Sequence, residues 1–182
     1  MIINNRRTCP GHIQKPLFFM IPLENWILDE LHILLRVTDR LWSLVLAEFD
    51  INNNKVRNIV CNKKLKILCE FDLAKLFNQP RAILTRQLWD KFYQLYGLLH
   101  NIETTKDIFE NKAKKWVELF LTPTLGTPNT SEFIKRLYKP SEITPYIHLL
   151  YNHIPDKIQN HNKSGIRAFS CAPVEKKNHQ QT

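Results

Sequence analysis

The sequence has 182 residues, 43% of them hydrophobic and 24% charged, and its formal net charge is +9. These shares are ordinary for a globular protein, and the length predicts one domain that can bury a core. Residues 17–23 are too short for a signal-peptide core or a membrane span, and the long apolar stretch at 24–49 is interrupted by Arg36, Asp39 and Arg40. We therefore expect neither a secretory signal nor a membrane partner.

The positive charge is distributed unevenly along the chain. Residues 16–50 carry −4, whereas residues 1–15 carry +3 and residues 51–70 carry +4. A pI near 9.5 favours a polyanionic partner such as DNA and a nuclear location, although a basic protein with a solvated surface gives the same composition. Four cysteines without a signal peptide predict reduced thiols in an intracellular protein, nuclear or cytoplasmic.

No spacing of Cys or His matches a structural metal site. Cys9 and His12 form a single C-x-x-H with no second pair of ligands. Three further histidines are five and eight residues apart, which is not the i, i+4 spacing of a helical ligand pair: His148, His153 and His161. We expect these to be core or surface histidines, and we expect no bound metal.

The N-terminal third predicts an arm, an extended segment and one long helix. Residues 1–15 are polar and basic, which predicts a flexible arm. Residues 17–21 form an apolar run between two prolines, typical of an edge strand or an extended lead-in. Residues 24–49 repeat apolar side chains at steps of three and four, which predicts a helix with Asn25 as a possible N-cap.

Residues 50–70 predict a flexible basic connector with one weak element of secondary structure. Lys63, Lys64 and Lys66 lie in this connector and are candidates for contacts to nucleic-acid phosphates as point charges. A solvated loop is the alternative interpretation of the same residues.

The remainder of the chain predicts a series of helices with recognisable start and stop signals. The predicted helices are 72–77, 81–100 with Pro80 in its first turn, 105–121 with Thr104 or Thr105 as N-cap, a short helix from Asn129 or Thr130 through Tyr138 ended by Pro140, 146–153 opened by Thr144-Pro145, and a further turn or two from Pro155.

These elements predict a mainly α fold of five to seven helices with at most a small β remnant of two or three strands. The helical domain would span residues 16–170, including a short extended piece at 166–170. Residues 171–182 would begin a truncated C-terminal helix at Pro173. The helix at 24–49 should be central and touch the helices at 81–100, 105–121 and 145–153.

Two acidic positions frame this helical sequence. Asp29-Glu30-Leu31-His32 contains a D-x-x-H pattern, and Glu175 follows after about 140 residues. This layout resembles the C-terminal half of eukaryotic cut-and-paste transposases with an RNase H-like (DDE-type) core, including the hAT, Mutator-like and CACTA-like superfamilies. The resemblance implies that Asp29 and His32 are the signature, residues 33–169 a helical insertion, and Glu175 the final catalytic carboxylate.

The resemblance does not extend to a complete catalytic centre. Phosphodiester cleavage of this type uses two divalent ions held by three carboxylates, and one carboxylate does not hold two ions. Only 28 residues precede Asp29, too few for the strands that carry the first two carboxylates. We therefore expect a transposon-derived fragment that is not an enzyme alone, with Glu175 vestigial and Mg or Mn relevant only to a complete core.

The C-terminal residues also suggest a contact to DNA. Lys176, Lys177 and His179 adjoin Glu175 and can meet a phosphate backbone. If the two ends of the chain share one acidic pocket, Glu175 should lie within about 8 Å of Asp29 or His32, given the dimensions of two-metal sites.

Simpler interpretations exist for each of these residues. Asp29 suits a helix N-terminus, His32 a partly buried position, and Glu175 the first turn of a helix. On those interpretations the chain is an α-helical protein–protein interaction module with no nucleic-acid role, whose exposed apolar patch packs against another chain supplying the missing half. An active nuclease is a third possibility.

Overall fold

A computed structural model describes residues 29–49, 61–130 and 133–160 of the chain, with side chains omitted for 61–64. The described residues form six α-helices and two short 3-10 helices. The α-helices are α1 Glu30–Ala47, α2 Cys61–Glu70, α3 Gln79–Leu99, α4 Lys106–Phe120, α5 Pro145–Asn152 and α6 Ile154–Asn160. The predicted mainly α class is confirmed, and no strand longer than a single bridge occurs in these ranges. The predicted arm at 1–15 and the extended pieces at 17–21 and 166–170 lie outside the described residues.

Helix α1 begins later than the apolar periodicity predicted. Asp29 is its N-cap, and the Asp29 carboxylate accepts a hydrogen bond from the backbone N–H of Leu31 at 3.2 Å. The predicted cap Asn25 lies outside the described residues. Within α1 the side chains of Ile33, Val37 and Leu41, among others, are buried, whereas Leu31 and Leu35, which the periodicity also placed on the apolar face, are only partly buried.

Helix α2 occupies the second half of the stretch that was expected to be a flexible connector. Its Leu68 is only 1% exposed and packs in the core formed with α1 and α3. The guanidinium of Arg86 on α3 donates to the carbonyls of Leu68 and Phe71, both at 2.6 Å. These bonds satisfy carbonyls that a helix end leaves open. The helix is thus stabilised by contacts distant in sequence, which a local apolar count does not reveal.

The predicted helices at 81–100 and 105–121 are confirmed as α3 and α4. Asn78 caps α3 by accepting from the backbone N–H of Arg81, and a proline occupies the first turn as expected. Thr105 caps α4. The segment predicted as a helix at 72–77 contains a single 3-10 turn, Leu73–Lys75, capped by Asp72.

The short helix predicted from Asn129 or Thr130 through Tyr138 is wrong. Residues 133–139 are extended, and Ile134 forms an isolated antiparallel bridge with Leu125. Gly126 and Asn129 have positive φ angles of 78° and 69°, which turn the chain back on itself. Pro140 does not end a helix but begins the 3-10 helix Pro140–Glu142.

The last two described helices follow the predicted signals. Thr144 caps α5 and accepts from the backbone N–H of Ile147, while α6 begins at Ile154 with a proline in its first turn. An ion pair joins α6 to the start of α4, with Lys106 Nζ donating to an Asp156 carboxylate oxygen at 2.7 Å. This hydrogen bond raises the pKa of Lys106 and lowers that of Asp156.

The core lies between α3 and α4 and is completed by the other helices. Helix α4 packs chiefly against α3, α5 and α6, whereas α1 packs against α2, α3 and α5. The predicted contacts of α1 with α3 and α5 are therefore confirmed, but α1 shares no extensive interface with α4 in the described part of the chain. Large, fully buried side chains come from both central helices: Trp89 and Phe92 on α3, and Phe109, Trp116 and Phe120 on α4. The indole N–H of Trp116 donates to the carbonyl of Leu88 at 2.9 Å and ties α4 to α3.

Candidate nucleic-acid interface

The tetrapeptide 29–32 forms the N-cap and first turn of α1. Its first and last side chains, Asp29 and His32, contact each other there. One Asp29 carboxylate oxygen accepts the cap hydrogen bond, and the other contacts His32 Nδ1 in an i, i+3 pair. The neighbouring Glu30 is 2% exposed, and its Oε1 lies 3.7 Å from Nε2 of His100 at the C-cap of α3. Asp29 therefore caps α1, as the capping interpretation expects, and Glu30 contacts the end of α3.

The remaining residues of the transposase-like pattern lie outside the described residues. They are Glu175, Lys176, Lys177 and His179. The expected distance between Glu175 and Asp29 or His32 therefore stays a prediction.

The three lysines predicted in the connector belong to α2. Lys66 is exposed and forms an i, i+4 ion pair with Glu70, at 3.8 Å between Nζ and the carboxylate oxygen. Lys63 and Lys64 lie on the same helix, and their side chains are outside the description. Lys66 is therefore a solvated lysine with an acid beside it on the helix surface.

The histidines at the end of α5 come together despite their five-residue separation. His153 is the C-cap of α5, and its ring centroid lies 5.4 Å from that of His148. Within the described ranges no group of three Cys, His, Asp or Glu side chains is arranged to hold a metal ion. Cys9, His12 and His161 lie outside those ranges, and Cys69 is an exposed free thiol.

A basic surface of the described residues lies on the extended stretch that was predicted to be helical. We call residues 135–139 the basic segment. Its Lys135, Arg136 and Lys139 side chains are exposed and form no ion pair with the described residues, whereas Leu137 and Tyr138 are 3% and 4% exposed. Three solvated cations thus lie within five residues, on a backbone anchored by two buried side chains.

One side of the basic segment is held by the chain that follows α4. The backbone N–H of Leu137 donates to the carbonyl of Thr122 at 2.9 Å, and that of Tyr138 donates to the carbonyl of Phe120 at 3.2 Å. The N–H of Arg136 donates to the hydroxyl of Thr124 at 3.2 Å. The N–H groups of three consecutive residues therefore all have acceptors at the end of α4 or just after it.

The carbonyls of the same segment are held by one buried guanidinium. Arg81, 9% exposed in the first turn of α3, donates to the carbonyls of Arg136 and Leu137 at 3.0 Å and of Lys135 at 3.4 Å. Its charge is paired with Glu48 at the end of α1, and its Cζ lies 5.5 Å from the ring centroid of Tyr138. Arg81 therefore fixes the backbone from which the exposed cations project.

The Tyr138 phenol is one of the two buried side chains that anchor the basic segment. Its hydroxyl is buried with no hydrogen-bond partner among the described residues, and burial raises the pKa of the phenol well above its ordinary value. The nearby Glu48 carboxylate acts in the same direction and the Arg81 charge opposes it.

Several other cations of the described residues are paired with acids or bonded within the fold. Of the 26 Lys and Arg residues 17 lie in the described ranges, together with 13 of the 17 Asp and Glu residues. On α4, for example, Lys114 donates to Glu110 at 2.5 Å, and Asp107 and Glu118 lie on the same exposed surface. Arg86 is used internally at the end of α2. The cations at 135–139 form no ion pair with any residue that the structure describes.

Lys135, Arg136 and Lys139 were not among the predicted site residues, and the first two lay in the short helix predicted through Tyr138. The available signal was the run Lys-Arg-Leu-Tyr-Lys at 135–139, which has three cations and no acid. Among the described helices none is both long and apolar enough to cross a membrane. Comparison of the chain with protein-family models, with curated proteins and with solved structures found no match.

Proposed function

We propose that this chain is a helical nucleic-acid-binding domain that is not catalytic alone, and that residues 135–139 are its main phosphate contact. The observation that carries the proposal is the exposure of Lys135, Arg136 and Lys139, which form no ion pair with the described residues, on a backbone held by Arg81. Because the backbone is already ordered, binding a phosphate requires ordering only the side chains. We also propose the transposon-derived origin that the sequence predicts from Asp29, His32 and Glu175. Phosphate binding by residues 135–139 does not depend on that origin.

Electrostatics supports phosphate as the ligand. Lysine and arginine neutralise phosphates and release condensed counterions, so each contact contributes affinity that falls with salt. The net charge of +9 adds a long-range attraction to a polyanion. Base sequence is not specified by such contacts, which position a protein on the backbone.

Binding of the purified chain to a generic duplex at two salt concentrations tests the proposal. We expect measurable binding at about 50 mM salt and a loss of affinity by an order of magnitude or more at about 200 mM. Binding that does not change between these salts would contradict a phosphate-driven complex. No binding at the lower salt would leave the alternative, an α-helical protein–protein interaction module.

A matched pair of variants locates the contact. The triple variant Lys135→Gln, Arg136→Gln, Lys139→Gln removes three charges from residues 135–139. The control variant Lys75→Gln, Lys91→Gln, Lys112→Gln removes the same charge from three exposed positions on separate elements. We expect the first variant to weaken binding far more than the second. Equal losses would show that only the net charge matters.

A further inference from the structure

An open groove lies directly beside the basic segment. It has a volume of about 340 Å³ and is bounded by the end of α1, the start of α3 and the beginning of the extended stretch. Most of its lining side chains are apolar or aromatic: Phe49, Leu76, Phe77, Pro80, Phe133 and Ile134. We call this the aromatic groove. Its volume is at the lower end of the range of small-molecule sites, about 300–1,000 Å³, which suits one planar heterocycle.

An aromatic side chain is open to solvent in this groove. Phe49 is 39% exposed, and its ring lies 5.2 Å from that of Phe77, tilted by 41°. Phe77 in turn has the Arg81 guanidinium 5.9 Å from its ring centroid. The Phe49 ring therefore packs on Phe77, and Phe77 packs on Arg81, while the exposed part of the Phe49 ring remains available to a ligand.

The charge at the rim selects the kind of ligand. Lys135 lines the groove itself, and Arg136 and Lys139 continue along the exposed segment beside it. Glu48 also lines the groove, but its carboxylate is paired with Arg81. Its negative charge therefore does not outweigh the positive charges at the rim. A ligand that carries a flat aromatic group next to negative charges is complementary to this surface, and a nucleotide of an unpaired strand has that chemistry.

We propose that the aromatic groove receives one unpaired nucleobase while residues 135–139 contact the adjoining phosphates, so that the preferred partner is single-stranded nucleic acid. This inference rests on the proposed function, because it assumes that the basic segment meets phosphates. It goes further in assigning a stacking site, since a base paired within a duplex has no free face to insert into the groove.

The inference is tested with one protein and three oligomers at about 50 mM salt. They are a labelled oligothymidine of about 15 nucleotides, an oligomer of the same length made of abasic residues, and a duplex of the same length. The first two carry the same phosphates and differ only in their bases. Stacking of one base contributes about 1–3 kcal/mol, so fluorescence anisotropy should give a 5- to 150-fold tighter complex with oligothymidine than with the abasic strand.

Variants of exposed aromatic residues assign that preference to the groove. Phe49→Ala should reduce the preference for oligothymidine over the abasic oligomer, and Phe49→Trp should preserve it. Tyr93→Ala is the matched control, because Tyr93 is also exposed and lies about 18 Å along α3 from Arg81. A preference that Phe49→Ala leaves intact would overturn the assignment to the groove.

The outcomes separate this inference from the proposed function. Equal affinity for oligothymidine and the abasic oligomer, with both weakened by the triple glutamine variant of residues 135–139, would overturn the stacking site and keep the phosphate contact. Failure of all three oligomers to bind would overturn both.

Discussion

Replacing Arg81 by methionine tests how the basic segment is held. Arg81 donates to three backbone carbonyls of the segment and pairs with Glu48. Breaking a buried ion pair by removing one partner costs about 3–5 kcal/mol. The Glu48 side chain is 24% exposed and can bind water when Arg81 is removed, so we take the lower end, about 3 kcal/mol.

Urea unfolding followed by tryptophan fluorescence measures this change, because Trp89 and Trp116 are buried and report loss of the core. Arg81→Lys should recover part of the loss, since the charge remains but the planar fork that reaches several carbonyls does not. The matched control is Arg36→Met, which removes an exposed arginine of α1 and should change the free energy of unfolding by less than about 0.5 kcal/mol. If the free energies of unfolding of Arg81→Met and Arg36→Met differ by less than about 0.5 kcal/mol, the stabilising role of Arg81 is refuted.

Three further predictions follow from single positions. Gly97 lies in the last turns of α3 with open space around an added Cβ, so Gly97→Ala should stabilise the protein by about 0.5–1 kcal/mol in the same urea assay, and destabilisation would show a contact we have not described. Burial raises the pKa of Tyr138, so the folded state keeps the phenol neutral. The contribution of the neutral phenol to the free energy of unfolding is fully present below the ordinary tyrosine pKa of about 10 and is lost as the pH rises beyond that value. Tyr138→Phe should therefore reduce the loss of unfolding free energy between about pH 9 and pH 11, and an unchanged pH profile would contradict the burial argument. For catalysis, we expect no nicking of supercoiled DNA with Mg or Mn; nicking that Glu175→Ala abolishes would show that the chain is an enzyme.

Helices that begin at local signals were predictable from the sequence. Asn78 followed two residues later by Pro80, and Thr144 followed at once by Pro145, specify where α3 and α5 begin, because a cap and its first turn involve only neighbouring residues. The apolar steps of three and four in α1 likewise predicted a helix, although the side chains buried most deeply are only partly those of the predicted stripe.

The extended stretch after α4 was not predictable in the same way. Phe133 and Leu137 have helical spacing, and Thr130 resembles a cap, so local rules favour a helix. In the fold, however, the N–H groups bond to the chain after α4 and the carbonyls bond to Arg81, whose position is 54 to 56 residues away. Tertiary hydrogen bonding overrides local propensity here.

The candidate interface was missed for the same reason. A sequence read as a helix places Lys135 and Arg136 on an ordinary solvated face, whereas an anchored extended backbone presents them beside the aromatic groove. Of the lysines that were selected, Lys66 pairs with Glu70 on α2. The role of Asp29 as a helix cap was one of the interpretations open from the sequence, and the structure places it there.

The salt dependence of duplex binding by the triple glutamine variant of residues 135–139 tests the central claim most directly. For B-DNA the logarithm of the binding constant falls with the logarithm of salt concentration at a slope of about 0.9 per phosphate neutralised. If Lys135, Arg136 and Lys139 each contact a phosphate, the variant's slope should be smaller than that of the native chain by about 2–3. The control variant of Lys75, Lys91 and Lys112 should keep the native slope. An equal slope for the native chain and the triple variant would contradict the assignment of this segment as the phosphate contact.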